Sequence, residues 1–236
     1  MEKEGVIIFG GSAGSIEVIM NIFPFIPANY PFAVVVVLHR KNTTEHHLED
    51  VLSRKAQVPV MEIQDKMQLK PAHIYIAPGD YHLLVDETGL CTLDYSEKVN
   101  YSRPSIDVTF ECFANAFGNR CIGILLSGAN SDGAVSLKKM KDNGGLTIVQ
   151  SPESAKVATM PMSAINLFSP DVIADIPQIS GMLIEASKYA ITHYINQIKH
   201  GDDLNNSLPT ILGSSTIVLL PVSIRKMGRL ESLKST

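Results

Sequence analysis

Residues 32–38 read Phe-Ala-Val-Val-Val-Val-Leu, seven apolar residues with no polar alternation. β-Branched side chains favour extended backbone, and a strand that has no polar face must be covered on both sides. That condition is met in the middle of a parallel sheet flanked by two layers of helices. It argues against an antiparallel sandwich, whose strands alternate inward and outward residues. Val6 to Phe9 is another wholly apolar run, and the mainly apolar Cys121 to Leu126 and Leu146 to Val149 read as further strands of the same kind. Between them the hydrophobic period becomes that of a helix. Ile16, Ile19, Met20 and Phe23 fall at i, i+3, i+4 and i+7 before Pro24, and Ile106, Phe110, Phe113, Ala114 and Phe117 share one face behind Pro104. The alternation predicts an α/β fold: a doubly wound, mostly parallel open sheet of Rossmann-like type, with helices on both faces.

The remaining segments fit that frame. Asn42 with Glu45 three residues on opens a predicted helix carrying Leu48, Val51 and Leu52, and Val58 to Ile63 and His73 to Ala77 read as two further strands. Tyr81 to Val85 and Leu90 to Tyr95 flank Asp86-Glu87-Thr88-Gly89, which predicts a hairpin forming an antiparallel edge. A helix with Leu137 and Met140 precedes Gly144-Gly145, a prolyl stretch holds Pro152, Pro161 and Pro170, and Val172 to Ala174 is a short strand. One long helix is expected from Gln178 to Ile198. The turn-rich break after His200 divides the chain into a domain of residues 1–198 and a linker and tail of residues 199–236.

Composition removes several classes of function. Apolar residues make up 45% and charged residues 19%, outside the range of disordered chains, and a net charge of −4 gives no electrostatic reason to bind nucleic acid or an anionic membrane. Cys91, Cys112 and Cys121 are odd in number and lack metal-ligand spacing, so neither a disulfide framework nor a metal or cofactor is expected. No run reaches 18 apolar residues and no leader precedes the first strand, so the chain is expected to be soluble and cytoplasmic, without membrane insertion.

Gly10-Gly11-Ser12-Ala13-Gly14 satisfies G-x-S-x-G between a predicted strand and a predicted helix. A serine on such a turn exposes its hydroxyl at the sheet's carboxyl edge, and the next amide, from Ala13, lies at a helix N-terminus where it can stabilise an oxyanion. A plain glycine-rich turn, or one that binds an anion, reads the same way. A dinucleotide fingerprint is excluded because Ser12 stands where glycine is needed, and a P-loop because no Gly-Lys-Ser/Thr follows. A nucleophilic serine needs a base, and His39 directly follows the valine run, at a strand end where open α/β sheets place their sites. His46 and His47 fall on a predicted solvated helix face, while His73, His82, His193 and His200 fall in edge or peripheral elements. The orienting carboxylate is expected from a third strand end. Asp132, after Ser127-Gly128-Ala129-Asn130-Ser131, fits, with Asp107 as its rival and helix capping as the alternative role.

The order Ser12, His39, Asp132 differs from that of α/β-hydrolases, and with its local sequences it resembles the catalytic domain of the chemotaxis-type protein-glutamate methylesterases, the CheB family. The resemblance runs from about Val6 to Ala186. It takes in His73-Ile74-Tyr75-Ile76-Ala77-Pro78-Gly79-Asp80 with His82, Arg103-Pro104-Ser105-Ile106-Asp107, Gly128 to Ala134, and Met160-Pro161 before Ala164. It implies a serine hydrolase that removes methyl groups from glutamate side chains on chemoreceptor cytoplasmic helices, and in many members deamidates glutamine there. It further implies Ser12 as nucleophile, His39 as general base, Asp132 as the orienting acid, the Ala13 and Ala129 amides as oxyanion donors, and Arg103 and Met160 as substrate-binding residues. The expected partners are a methylated chemoreceptor cytoplasmic domain and a separate receiver-type regulator, since only five residues precede the first strand and no attached receiver domain is expected. Two positions depart from the family pattern: Ala129-Asn130 stands where methionine and glycine are usual, and Ala13 where threonine is common. Backbone donors survive both changes. The altered segment also motivates the alternative of a catalytically impaired scaffold that binds a receptor or signalling complex.

Overall fold

The computed structural model describes residues 5–40, 48–189 and 191–200, and the backbone of 207–212 and 216–221. Asn42, Glu45, His46 and His47 lie outside the described residues. Seven parallel strands form the main sheet: β1 (Val6–Gly11), β2 (Ala33–Leu38), β3 (Val60–Glu62), β4 (His73–Ile76), β7 (Cys121–Leu125), β8 (Leu146–Gln150) and β9 (Val172–Ala174). Their order across the sheet is β3-β4-β2-β1-β7-β8-β9. The chain winds outward from β1 in one direction and then returns to fill the other side from β7, so the strand order reverses beside β1. A crevice forms at the carboxyl ends of strands where such a reversal occurs.

Every residue of β1, β2, β7 and β8 is buried, including Thr147 and Gln150 of β8, whose side chains bond Asp171 and the Ser127 amide. Alternate residues feed two separate cores. Ile7, Phe9, Val34 and Val36 pack with α1 (Ser15–Ile22), α2 (Leu48–Ser53), α6 (Ile176–Ala186) and α7 (Ile191–His200). Val6, Ile8, Val35 and Val37 pack with α3 (Ile106–Phe117), α4 (Ala134–Asp142), α5 (Thr159–Leu167) and the hairpin of β5 (His82–Val85) and β6 (Cys91–Asp94). This is the doubly wound α/β architecture expected from sequence. The hairpin is antiparallel, and it forms its own two-stranded sheet over α3 without joining the main one.

Several elements differ in detail. The buried face of α1 is Ser15, Val18, Ile19 and Ile22, while Ile16 is 44% exposed, because Ser15 must face the sheet edge to bond Ser127. Helix α5 lies within the stretch read as prolyl punctuation: Pro161 sits in its first turn, where the missing N–H would have no helical partner. The expected long C-terminal helix is two helices. α6 starts with a capping box between Asp175 and Gln178 and ends at Ser187, whose hydroxyl bonds the Ile184 carbonyl at 2.7 Å, before α7 begins. Tyr30 and Tyr194 tie down α6 by donating to the Leu183 and Met182 carbonyls. In the tail, β10 (Ser207–Leu212) and β11 (Thr216–Pro221) pair antiparallel.

Candidate active site

Parallel pairing puts the ends of β1 and β2 side by side: Gly11 pairs with Leu38, and the His39 amide donates to the Gly11 carbonyl at 3.2 Å. Ser12 and His39 are therefore the next residues of neighbouring strands. On the other side of β1, the Ser12 amide donates to the Ser127 carbonyl at 2.9 Å and to Ser15 Oγ at 3.0 Å, and Ser15 Oγ–H in turn donates to Ser127 at 2.6 Å. Ser127 Oγ–H donates to the Ala13 carbonyl at 2.7 Å. The serine turn is thus clamped from its backbone, leaving its side chain half-buried at the crevice. Its left-handed residue is Gly14, with φ 87°, and not Ser12. A Cβ on Gly14 would lie 2.8 Å from Lys156 Cβ and 2.9 Å from Ser127 Oγ.

His39 Nε2–H donates to Asp132 Oδ2 at 2.7 Å, with the imidazole 12% exposed and the carboxylate fully buried. Nδ1 is therefore the ring nitrogen that Asp132 leaves for another partner. Among the described residues, no hydrogen bond joins the Ser12 and His39 side chains. Asp132 follows β7 in a loop where Asn130 Oδ1 accepts from the Asp132 amide at 3.2 Å. Its carboxylate sits over the N-terminus of α3, the positive end of the helix dipole. Oδ2 also accepts from the Ile106 amide at 2.7 Å. Oδ1 accepts from Ser105 Oγ at 2.9 Å, Asn100 Nδ2 at 2.9 Å and the Asp107 amide at 3.2 Å. Burial alone would raise this carboxyl, but the hydrogen bonds from His39, Asn100, Ile106 and Asp107 outweigh it and hold its pKa down at about 2. The α3 terminus reaches this point because Gly10 has no side chain: a Cβ there would lie 2.5 Å from Ile106 Cγ2.

Asp107, the rival acid, does not reach His39. Its Oδ1 accepts from the Ser136 amide at the start of α4 and its Oδ2 from Asn100. Burial, with the Asp132 charge adding to it, raises its pKa. His82 lies in the hairpin outside the main sheet, as expected from sequence, yet is 1% exposed: its Nδ1 accepts from the Ser105 amide at 3.2 Å and its Nε2–H donates to the Glu97 carbonyl at 3.0 Å. It thereby holds the residue that caps α3 and donates to Asp132. Ser15, Ser127, Ser105, His82 and Asn100 are the contributors that residue-by-residue reading did not single out. Ser105 and His82 belong to the Arg103–Asp107 and His73–His82 segments that carry the family resemblance, and that is the signal pointing to them.

Ala13 and Ala129 are exposed at the crevice, and neither amide donates to another described residue. Arg103 is engaged locally: Nη1 donates to the Tyr95 and Ser96 carbonyls at 3.1 and 2.7 Å, and the guanidinium lies 3.8 Å from the Tyr95 ring centroid. Met160 is fully buried, its thioether against Gly128, so it supports the 127–132 loop from behind and presents no surface to a substrate. No group of three or more His, Cys, Asp or Glu among the described residues is arranged to hold a metal ion. No described helix is long and apolar enough to cross a membrane.

Comparison with known proteins gives this crevice a family. A Leptospira interrogans protein, provisionally named a protein-glutamate methylesterase/protein-glutamine glutaminase, is 38% identical over 184 residues, 78% of this chain and 95% of its own length. The Chromohalobacter salexigens protein-glutamate methylesterase/protein-glutamine glutaminase is 36% identical over 168 residues, 70% of this chain but 47% of its own length. The crystal structure of the Thermotoga maritima CheB methylesterase catalytic domain superposes with a TM-score of 0.74 at 32% identity, covering 77% of this chain and 98% of that one. The sequence model of the CheB methylesterase family matches residues 7–183, and the chain belongs to that family.

Proposed function

We propose that this chain is a protein-glutamate methylesterase acting on glutamyl methyl esters of chemoreceptor cytoplasmic helices, with glutamine deamidation as a second activity of the same site. The observation that carries this reading is the 2.7 Å bond from His39 Nε2–H to Asp132, one strand away from Ser12. In the first half-reaction Ser12 Oγ attacks the ester carbonyl while His39 Nδ1 takes its proton. The tetrahedral oxyanion is met by the Ala13 and Ala129 amides. Collapse expels the methoxide, which takes the proton from His39 and leaves as methanol, with the acyl group on Ser12. Water then attacks with its proton passing to Nδ1, and collapse returns that proton to Ser12 Oγ and releases the glutamate. Glutamine follows the same path with ammonia as the leaving group. Asp132 keeps the imidazole proton on Nε2, so that Nδ1 retains its lone pair, and stabilises the imidazolium as it forms.

Arg103 and Met160 serve substrate binding through the walls they hold, the 95–103 loop and the 127–132 loop. We assign residues 1–198 to the catalytic unit and 199–236 to a linker and tail, and place the enzyme in the cytoplasm, where its receptor substrate and a separate receiver-type regulator reside. The test is methanol release from methylated chemoreceptor cytoplasmic fragments by the wild type and by Ser12→Ala. Release by the wild type that falls by several orders of magnitude in the variant supports the reading. Equal turnover in both removes the nucleophile, and binding of the fragments without release from either favours the scaffold alternative.

A further inference from the structure

Asn100 differs from the other donors to Asp132. Ser105, Ile106 and Asp107 belong to the start of α3 and are buried or half-buried, whereas Asn100 is exposed on a two-residue turn. Val99 and Ser102 exchange backbone hydrogen bonds of 3.2 and 2.9 Å across that turn, and its central residues Asn100 and Tyr101 have φ of 51° and 62°. Two successive left-handed residues make a primed hairpin turn, which favours glycine, asparagine or aspartate. Tyr101 is held there although it is 98% exposed and its side chain packs on little that would offset the strain. What the turn delivers is an amide. Asn100 Nδ2 donates to Asp132 Oδ1 at 2.9 Å and to Asp107 Oδ2 at 3.1 Å, one hydrogen for each carboxylate.

We infer that Asn100 is a positioning residue of the triad: its NH2 bridges Asp132 and Asp107, keeps Asp132 Oδ2 turned to His39, and covers the one side of the carboxylate that water could reach. The kinetic consequence rests on the esterase reading; the structural one does not. Every other donor to Oδ1 comes from the frame of α3, so Asn100 is the part of the shell that can be removed without touching a helix. Water entering in its place would supply a hydrogen bond but also raise the local dielectric, weakening the attraction between Asp132 and the imidazolium that forms during turnover.

The test uses Asn100→Gly and Asn100→Asp in the full chain. Glycine and aspartate both tolerate a left-handed backbone, so both variants keep the turn, and neither carries an NH2. Loss of a hydrogen bond to a charged group, partly replaced by water, should lower kcat about tenfold in the glycine variant with KM changed less than about twofold. The aspartate variant should fall further, because it adds a third carboxylate to the cluster. The second readout is independent of activity: the proton on His39 Nε2, hydrogen-bonded to Asp132, gives a downfield proton resonance that should move upfield or broaden by exchange with water in both variants. Unchanged kcat with an unmoved resonance would overturn the proposal, and so would a loss confined to KM. If Ser12→Ala keeps full turnover, the esterase reading fails while the resonance still decides the role of Asn100.

Discussion

Asp132→Asn has two separable effects, one on stability and one on rate, and both follow from five hydrogen bonds that all run into the carboxylate. An asparagine must point its NH2 at one of two sets of donors. Toward Oδ1 the Ser105 hydroxyl can rotate to accept, but the Asn100 amide and the Asp107 N–H lose their acceptor. Toward Oδ2 the Ile106 N–H is orphaned, and His39 must move its proton from Nε2 to Nδ1, which removes the Nδ1 lone pair. A buried N–H without a partner costs about 1–3 kcal/mol. The charge adds a second contribution. With a pKa of about 2 in the fold against an ordinary 3.8, the carboxylate contributes about 2 kcal/mol to stability. Because the folded value is depressed, this contribution is present above pH 4 and is lost as the pH falls toward 2. Urea denaturation at pH 7 should therefore show the asparagine variant less stable by about 3–5 kcal/mol, with the gap narrowing by about 2 kcal/mol between pH 5 and pH 2. Methanol release should fall by roughly 10⁴ through the wrong tautomer. A stability gap that does not change with pH, or turnover near that of the wild type, would refute the reasoning.

Other substitutions probe other parts of the frame. Gly14→Ala puts a Cβ at φ 87° and 2.8 Å from Lys156, and should destabilise the chain by about 2–3 kcal/mol in thermal melts, with lost activity as the serine turn shifts. Tyr30→Phe leaves the Leu183 carbonyl without its donor and should cost about 1 kcal/mol in urea, with turnover unchanged because the bond lies on the opposite face from α3. Burial pushes the Cys91 thiol up to about 12 and raises Cys112 and Cys121 as well. Iodoacetamide at pH 8 should label the native protein slowly and the guanidinium-unfolded protein at the rate of free thiols, which mass spectrometry resolves.

The parts of the fold legible in the sequence are those fixed by local chemistry. A run such as Phe32 to Leu38 can be satisfied only at a sheet centre, and once four such runs are central, the residues that follow them meet at one edge. Ser12, His39 and Asp132 each stand just beyond one of these strands or in its loop, so the sequence already places Ser12 and His39 at neighbouring strand ends and Asp132 within reach of that edge, where it bonds His39. The donors around Asp132 are not legible in the same way. Asn100 lies in a loop between a hairpin and a helix, and no spacing rule brings position 100 to position 132. Pro161 misled for a different reason, since proline marks a break in most contexts and an ordinary residue only in the first turn of a helix. The face of α1 differs from the one that starts at Ile16 because Ser15 takes the inward position, bonding the Ser12 amide and the Ser127 carbonyl at the sheet edge.

Asp132 occupies the N-terminus of α3 in the way that a bound phosphate occupies a helix start in nucleotide-binding sheets. Here the anion is part of the chain, so its effective concentration is fixed and no competing solute can displace it at physiological levels. The helix start that in such folds serves as a docking point for a cofactor is filled for the lifetime of the fold, and its partial positive charge is turned inward onto the acid beside His39. A sheet built to hold a diffusible ligand has in effect been given a permanent one.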